Sequence, residues 1–188
     1  MLPVETSRNR TIALHACCGF GLIELVVAIA IVAVLTAAAL PSFRELSRRM
    51  TISENTNNLV GALNTSRAEA VKRGARVAVV GTGNNWTTGG WSVQADSNHD
   101  DVIGGADTVL ATYARLTNDY TVKTLVTGGA DAQIVFTSQG SLAGPATQAD
   151  INVCRPDHEA EQSAWIHIAA SGEISSRRNT SSSPAPGC

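Results

Sequence analysis

The chain has 188 residues, of which 44% are hydrophobic and only 4% aromatic, and its formal net charge is −2. This length suits one domain of modest size. The near-neutral charge excludes a generally basic nucleic-acid binder, while leaving room for a local basic patch. The apolar residues are concentrated, because no residue from Leu25 to Phe43 is charged. A helix of that length crosses about 30 Å of hydrocarbon, so the sequence predicts membrane insertion.

The residues ahead of this apolar run, residues 1–19, form a polar leader that contains Arg8 and Arg10. An ordinary signal peptide is cleaved after its apolar segment, and the small residues Ala37–Ala39 could mimic such a site. A lipoprotein signal ending at Cys17 is excluded, because no apolar core comparable to the later run precedes that cysteine. A third interpretation depends on the junction between the leader and the apolar run.

That junction reads Gly19-Phe20-Gly21-Leu22-Ile23-Glu24. It resembles the class III signal of type IV prepilins and of type II secretion pseudopilins. In that family a membrane peptidase cuts after the glycine, on the cytoplasmic side, and methylates the new N-terminal residue. The resemblance implies cleavage between Gly19 and Phe20 and N-methylation of Phe20. It also implies three kinds of partner: the prepilin peptidase, other pilins or pseudopilins, and the inner-membrane assembly platform.

Glu24 is the one charged residue inside the predicted span. A carboxylate at that depth costs about 2.5–3.5 kcal/mol unless it is paired. It could snorkel to the interface, or it could pair with the amine that cleavage creates at Phe20, one helical turn away or on a neighbouring subunit. The resemblance implies the pairing between subunits during filament assembly. Arginines flank the span on both sides, so charge alone leaves the orientation open; the cleavage signal predicts a cytoplasmic leader and a periplasmic domain.

The helical pattern continues beyond the membrane span. Ile52, Leu59, Leu63 and Ala70 are spaced by seven, four and seven residues, which places them on one face of a helix. We therefore expect one helix from Phe20 to about Arg73, bent at Pro41 and ended by Gly74. Residues 20–43 are its transmembrane and assembly half, and residues 44–74 are its amphipathic half.

After Gly74, short alternating runs are separated by Gly-rich turns, as antiparallel hairpins require. The predicted strands are Arg76–Val80, Trp91–Ala95, Val109–Leu116, Tyr120–Leu125, Gln133–Thr137, Asp150–Cys154, Trp165–Ala169 and a weak Glu173–Ser175.

Three stretches narrow the resemblance to the GspH/FimT type: Ser66–Arg73 at the end of the helix, Gly90-Trp91 at the start of a strand, and Ser171-Gly172 near the end of the chain. The resemblance implies the α+β type IV pilin fold, a long N-terminal helix, half transmembrane, packed on a C-terminal antiparallel β-sheet domain. We assign residues 75–176 to this domain and residues 177–188 to a flexible tail. The Ser66–Arg73 stretch is interpreted as an exposed helix face with locally paired charges.

The acidic segment after the second predicted strand resembles a calcium loop, with oxygen-bearing side chains at its first, third, fifth and twelfth positions: Asp96, Asn98, Asp100 and Asp107. Its sixth position is Asp101, where an EF-hand needs glycine for the turn. We favour an acidic hairpin loop with Asx turns, and calcium binding is the alternative.

The mature chain is expected to keep two cysteines, Cys154 and Cys188, because Cys17 and Cys18 leave with the leader. In an oxidising compartment a disulfide between them is the economical interpretation; two free thiols are the alternative. Many members of the resembled family pair the later cysteine with one in the strand after the long helix, where this chain has Val80.

Catalysis is not favoured by the sequence. His99, His158 and His167 lack a nearby Ser or Cys motif, and Asp157-His158-Glu159 lacks metal-ligand spacing. We therefore predict a non-enzymatic protein without catalytic residues, resident metal or cofactor.

DNA binding is the competing function, because FimT-type minor pilins include receptors that capture DNA through a Gly-Arg-x-Arg motif. The matching site here reads Gly172-Glu173-Ile174-Ser175, so both arginines are missing. Arg177 and Arg178 follow shortly and could contact phosphates. A solvated basic tail is the interpretation we favour.

The sequence favours a minor pilin or pseudopilin that enters the inner membrane, is processed, and is incorporated near the tip of a filament, where it primes or caps assembly. The peptidase signal and the fold are common to the type IV pilus and the type II secretion pseudopilus, so the resemblance covers both.

Overall fold

The computed structural model describes residues 21–105, 107–116, 119–157, 162–179 and 188. The chain divides into two compact units, one ending at Arg44 and one beginning at Glu45. A single helix, α1 (Leu22–Arg73, 52 residues), contributes to both units. The leader, the junction residues Gly19 and Phe20, and His158 lie outside the described residues.

The part of α1 in the first unit is apolar and exposed. Every described residue from Gly21 to Leu40 is exposed, and α1 is long and apolar enough to cross a membrane by length and composition. The helical backbone continues through Pro41, and the bend expected there stays a prediction.

In the second unit, α1 buries the stripe of apolar residues that the spacing predicted. Leu59, Leu63 and Ala70 are fully buried and Ile52 is nearly so. The helix ends as expected, because Gly74 adopts a φ of +65° and its N–H donates to the Ala70 carbonyl, 3.0 Å away. A left-handed glycine of this kind is a common helix terminator.

All eight predicted strands are present, with ends shifted by a few residues. They are β1 (Val77–Gly81), β2 (Trp91–Ala95), β3 (Thr108–Tyr113), β4 (Thr121–Thr127), β5 (Gln133–Phe136), β6 (Gln148–Cys154), β7 (Ala164–Ala169) and β8 (Ile174–Arg178). Every pairing is antiparallel. The strands form two four-stranded sheets, ordered β3-β2-β1-β5 and β4-β6-β7-β8.

One hydrophobic core joins the buried stripe of α1 to both sheets. Alternate residues of β6 and β7 enter it, and Ile151, Val153, Ile166 and Ile168 are fully buried. Burying a side chain of this size contributes about 1.5–3 kcal/mol relative to leaving it in water. The other sheet supplies further members of the same core: Val77, Val79, Trp91, Val93, Ile134 and Phe136.

The expected start of a flexible tail at residue 177 is wrong. Arg177 and Arg178 belong to β8, where they pair with Trp165 and Ala164 of β7, and the following Asn179 is buried. The Ser-Ser-Arg-Arg sequence shows no apolar alternation, so the strand is held by its backbone ladder on β7.

The interpretation of Ser66–Arg73 as an exposed, locally paired helix face is half right. Glu69 does pair locally, with Lys72 at 3.1 Å and Arg73 at 2.7 Å. Ser66, in contrast, is fully buried, and Arg67 reaches away from the helix: its Nε donates to the Gly140 carbonyl at 2.8 Å. Arg67 therefore fastens α1 to the loop after β5.

A short helix between β1 and β2 was not predicted. Helix α2 (Trp86–Gly89) begins at Asn85, whose side chain accepts the backbone N–H groups of the residues two and three positions later. Asparagine is a preferred N-cap residue, so the sequence did carry this signal. Trp86 of this helix packs in the hydrophobic core, and its Nε1 donates to the Asp131 carbonyl at 3.0 Å.

Candidate functional site

The predicted assembly segment occupies the first turns of α1. Glu24 lies in the first helical turn, and its backbone N–H donates to the Gly21 carbonyl at 3.0 Å. The side chains that follow are apolar and exposed, including Leu25, Val26 and Val27. The predicted cleavage bond, Gly19–Phe20, lies outside the described residues, so the pairing of Glu24 with a new amine stays a prediction.

The second unit contains a cluster of charged side chains around Arg155, which we call the Arg155 cluster. Arg155 follows β6 directly, and its side chain is only 1% exposed. Its Nη1 and Nη2 donate to the two carboxylate oxygens of Glu45, each at 3.1 Å. Nη1 also donates to Gln162 at 2.6 Å, and Nη2 donates to Asp157 at 2.8 Å. Two arginines of α1 complete the cluster: Arg48 and Arg49.

The Arg155 cluster is electrostatically strong because its central cation is buried. Hydrogen bonds from Arg155, and secondarily from Arg49, lower the pKa of Glu45 to about 2. The same hydrogen bond to Glu45 raises the pKa of Arg155 above its usual value, against the opposing effect of burial. A bidentate carboxylate of this kind compensates a buried guanidinium. The cluster holds the start of the second unit's helix against the loop between β6 and β7.

Cys154 and Cys188, the predicted disulfide pair, are joined in the structure, with a Cα–Cα distance of 5.6 Å. Cys154 is the last residue of β6 and is fully buried. The bridge therefore attaches the end of the chain beside Arg155.

The four residues of the calcium candidate form a loop of Asx turns. Asp96, which is buried, accepts backbone N–H groups from the residues three and five positions later, at 2.7 and 2.9 Å. Asp107 accepts two more, and Asn98 and Asp100 each accept from the residue two positions later. Within the described ranges, no group of three or more His, Cys, Asp or Glu residues is arranged to hold a metal ion. These hydrogen bonds are the ones that the favoured interpretation requires.

The two candidate DNA-binding arginines lie side by side on β8, at the edge of their sheet. Arg177 stacks on the Trp165 ring, with its guanidinium carbon 4.0 Å from the ring centroid. Arg178 lines a groove against Met50 and Ser53 of α1. Successive side chains of a strand point to opposite faces, but both arginines contribute to the lining of one groove beside Ser53 of α1.

The histidines within the described ranges take no catalytic arrangement. His167 Nδ1 lies 2.8 Å from the Asp150 carboxylate, and its ring packs against Trp165 at 5.2 Å between centroids. His99 is an exposed residue of the acidic loop. No nucleophile among the described hydrogen bonds contacts either histidine ring. His167 and Asp150 therefore form part of the sheet surface.

Taken together, a long apolar N-terminal helix continuous with an antiparallel β domain defines the type IV pilin-like class. Two crystal forms of the type IV minor pilin FimU from Pseudomonas aeruginosa strain PAO1 have this fold, with TM-scores of 0.54 and 0.52. Each is 19% identical to this chain; the matches cover 78% and 74% of it and 98% of each FimU chain. No curated protein sequence matches the chain significantly.

Family models specify the relationship further. The model described as type II transport protein GspH matches residues 55–172, and the model of the prokaryotic N-terminal methylation motif matches residues 14–40. The chain belongs to the GspH family, whose members are structural pilin and pseudopilin components. The expected GspH/FimT-type resemblance and the α+β pilin fold are thereby confirmed.

Proposed function

We propose that this protein is a minor pilin or pseudopilin anchored in the inner membrane and then incorporated into a type IV pilus or type II secretion pseudopilus. The observation that carries the proposal is the methylation motif over residues 14–40, in the same chain as the GspH domain. One helix, Leu22–Arg73, includes the described part of the motif and the start of that domain. The N-terminus faces the cytoplasm and the second unit faces the periplasm. The protein acts by assembly and not by turnover.

The exposed apolar part of α1 supports this function physically. Large apolar patches on a protein surface mark contact with lipid or with another protein. A helix exposed all round, from Gly21 to Leu40, can exchange lipid contacts for contacts with other apolar helices. Small residues favour close helix packing, and the segment contains the run Ala37–Ala39. We keep residues 20–43 as the membrane and assembly half and residues 44–74 as the amphipathic half.

Processing is tested by replacing Gly19 with alanine. The peptidase signal requires glycine before the cut, so the variant should accumulate as the longer precursor, with its leader and without a methylated Phe20. Electrophoresis of the membrane fraction measures the length of the chain, and intact mass spectrometry measures both the cleavage and the methylation of Phe20. Gly21→Ala, which alters a glycine beyond the cleaved bond, is the matched control and should be processed. A fully processed Gly19→Ala chain would contradict the proposal.

The role of Glu24 is tested separately from processing. Glu24→Val removes the carboxylate that we propose pairs with the Phe20 amine of a neighbouring subunit, so the chain should insert and be cleaved but reach filaments at less than about a tenth of the wild-type level. Glu24→Asp keeps the charge and should restore part of the incorporation. Quantification in sheared, purified filaments measures the effect, and equal incorporation of Glu24→Val and wild type would refute the pairing.

We place the protein at the tip of the filament, where it primes or caps assembly. The FimU crystal structures that share its fold are described as those of a minor pilin. Immunogold labelling should then mark filament ends, and deletion should reduce the number of filaments more than their length. Labelling spread evenly along the filament would contradict this position.

DNA capture is the second candidate function, and exposure of Arg177 and Arg178 on β8 favours it. Glu173, at the position of a motif arginine, weakens it. A gel-shift titration with duplex DNA at low salt tests it: binding that is abolished in the Arg177→Ala/Arg178→Ala double variant would support a receptor role. No shift with the wild-type chain would exclude it.

A further inference from the structure

A pocket of about 200 Å³ opens between α1 and the end of the β3-β2-β1-β5 sheet. The helix contributes Glu54, Asn55 and Asn58 to its lining, and the sheet contributes Trp91 and Tyr113. The two aromatic rings stack across neighbouring strands with centroids 5.8 Å apart. The segment after β3, including the exposed Arg115, forms the rim.

Two buried hydrogen-bond donors in this lining have no acceptor among the residues that the structure describes. Asn55 is 7% exposed and Trp91 is 1% exposed, yet within those residues Asn55 Nδ2 and Trp91 Nε1 lack a hydrogen-bond partner. Trp86 shows the usual arrangement, because its Nε1 donates to the Asp131 carbonyl at 3.0 Å. An unsatisfied buried donor destabilises a fold by about 1–3 kcal/mol, and most buried polar groups are paired. Because both residues line the same pocket, an acceptor that enters this pocket from outside could satisfy these donors.

The composition of the lining specifies that acceptor. A carbonyl oxygen has two lone pairs, and each lone pair can accept one N–H donor. The ligand should be neutral, because Glu54 and Arg115 at the entrance carry opposite charges and two neutral donors cannot compensate a buried ion. The Glu54 carboxylate can accept an N–H in return. A carboxamide combines these features, with its C=O towards the two buried donors and its NH₂ towards Glu54.

The small volume of the pocket indicates that its ligand is a single amino-acid side chain and not a free small molecule. Sites for small-molecule ligands typically measure about 300–1,000 Å³, which is larger than this one. We infer that the pocket receives an asparagine or glutamine side chain of a partner protein, which in the context of the proposed function is another filament subunit. Because each nitrogen has almost no exposed surface, entry requires rotation of the Asn55 side chain or an outward shift of the segment that carries Arg115.

The inference can be tested with the full chain in detergent micelles, labelled with ¹⁵N and titrated with N-acetyl-glutamine N′-methylamide. The indole N–H resonance of Trp91 should shift and saturate at millimolar concentrations, while that of Trp86, already bonded to Asp131, should stay in place. Trp91→Phe removes the shifting signal and thereby assigns it. The capped glutamate analogue has the same shape with one negative charge, and should need at least a tenfold higher concentration.

Asn55→Leu and Asn57→Leu form a matched pair of variants. Asn57 lies on the same helix but is exposed and outside this pocket. Loss of one hydrogen bond should raise the half-saturating concentration about fivefold in Asn55→Leu and leave Asn57→Leu unchanged. Both should melt no lower than wild type, because neither loses a satisfied bond.

Three results would overturn the inference: a Trp91 resonance that does not move, equal binding of the glutamine and glutamate analogues, or equal titrations of the two leucine variants. A resident water bridging the two donors would give the first result. None of these results depends on processing or filament incorporation, so failure here is distinguishable from failure of the proposed function.

Discussion

Replacing Glu45 with glutamine tests how much the Arg155 cluster stabilises the second unit. The substitution preserves the size of the side chain but removes the charge that accepts from both Arg155 Nη atoms, each at 3.1 Å. Arg155 is almost completely buried, and among the described residues it would keep Asp157 and Gln162 as partners. A buried cation that loses a bidentate anionic partner is destabilised, so the variant should unfold more easily.

The magnitude follows from the pKa of Glu45, which is about 2 instead of 4.5. Each unit of such a difference corresponds to about 1.36 kcal/mol, which sets an upper limit of about 3 kcal/mol. Because the Glu45 side chain is 31% exposed, solvent screening reduces the expected loss to about 1–2 kcal/mol at neutral pH. The folded-state pKa is the lower one, so the stabilisation is complete above pH 4.5 and is lost as the pH falls towards 2. About half of it should be gone at roughly pH 3.

Urea unfolding of the full chain in detergent micelles, followed by near-UV circular dichroism, measures this loss. Glu69→Gln is the matched control, because Glu69 also pairs with an arginine four residues later on α1, Arg73 at 2.7 Å, but its partners among the described residues, Lys72 and Arg73, are exposed. It should cost much less stability. Equal losses for the two variants, or a Glu45→Gln deficit that is as large at pH 3 as at pH 7, would refute the reasoning.

Three further substitutions test local features of the fold. Gly172→Ala should cost more than about 2 kcal/mol, because φ is +78° and a Cβ would collide with the Gly140 carbonyl; Gly104→Ala, with open space around it, should melt like wild type. Cys188→Ser should cost about 2–4 kcal/mol, and a reductant should lower the melting temperature of wild type but not of the variant. Asn85→Ala should cost about 1 kcal/mol by removing the N-cap of α2, and unchanged thermal unfolding would show that this cap contributes nothing.

The order and type of the main elements were predictable because their signals are local. The spacing of the apolar residues from Ile52 to Ala70 predicted the second half of the long helix, and Gly74 predicted its end. Alternating apolar and polar residues, separated by Gly-rich turns, located each strand. The ends were less accurate where the backbone ladder extends beyond the alternation. β8 illustrates this, because it runs to Arg178 through Ser-Ser-Arg-Arg, a stretch without the alternating apolar residues that predict a strand.

The Arg155 cluster was not predictable, because its central contact joins residues that are 110 positions apart. The charged residues that surround Arg155 in the sequence are typical of an exposed loop. No local sequence signal distinguishes a buried arginine from one in solvent. Arg67 was misread for the same reason: its partners, Gly140 and Ser171, lie 73 and 104 positions away. Long-range polar contacts of this kind depend on how the loops meet after the strands have paired.

The location of Cys188 affects how this protein can be labelled. The disulfide holds Cys188 against the end of β6, one position before the buried Arg155, so an affinity tag or fluorescent protein placed beside Cys188 would crowd the Arg155 cluster. A tag at the other end would be removed together with the leader if the proposed cleavage occurs. Gly104 and Gly105 are exposed and have no atoms close to an added side chain. An epitope inserted between them would leave both the leader and Cys188 unmodified.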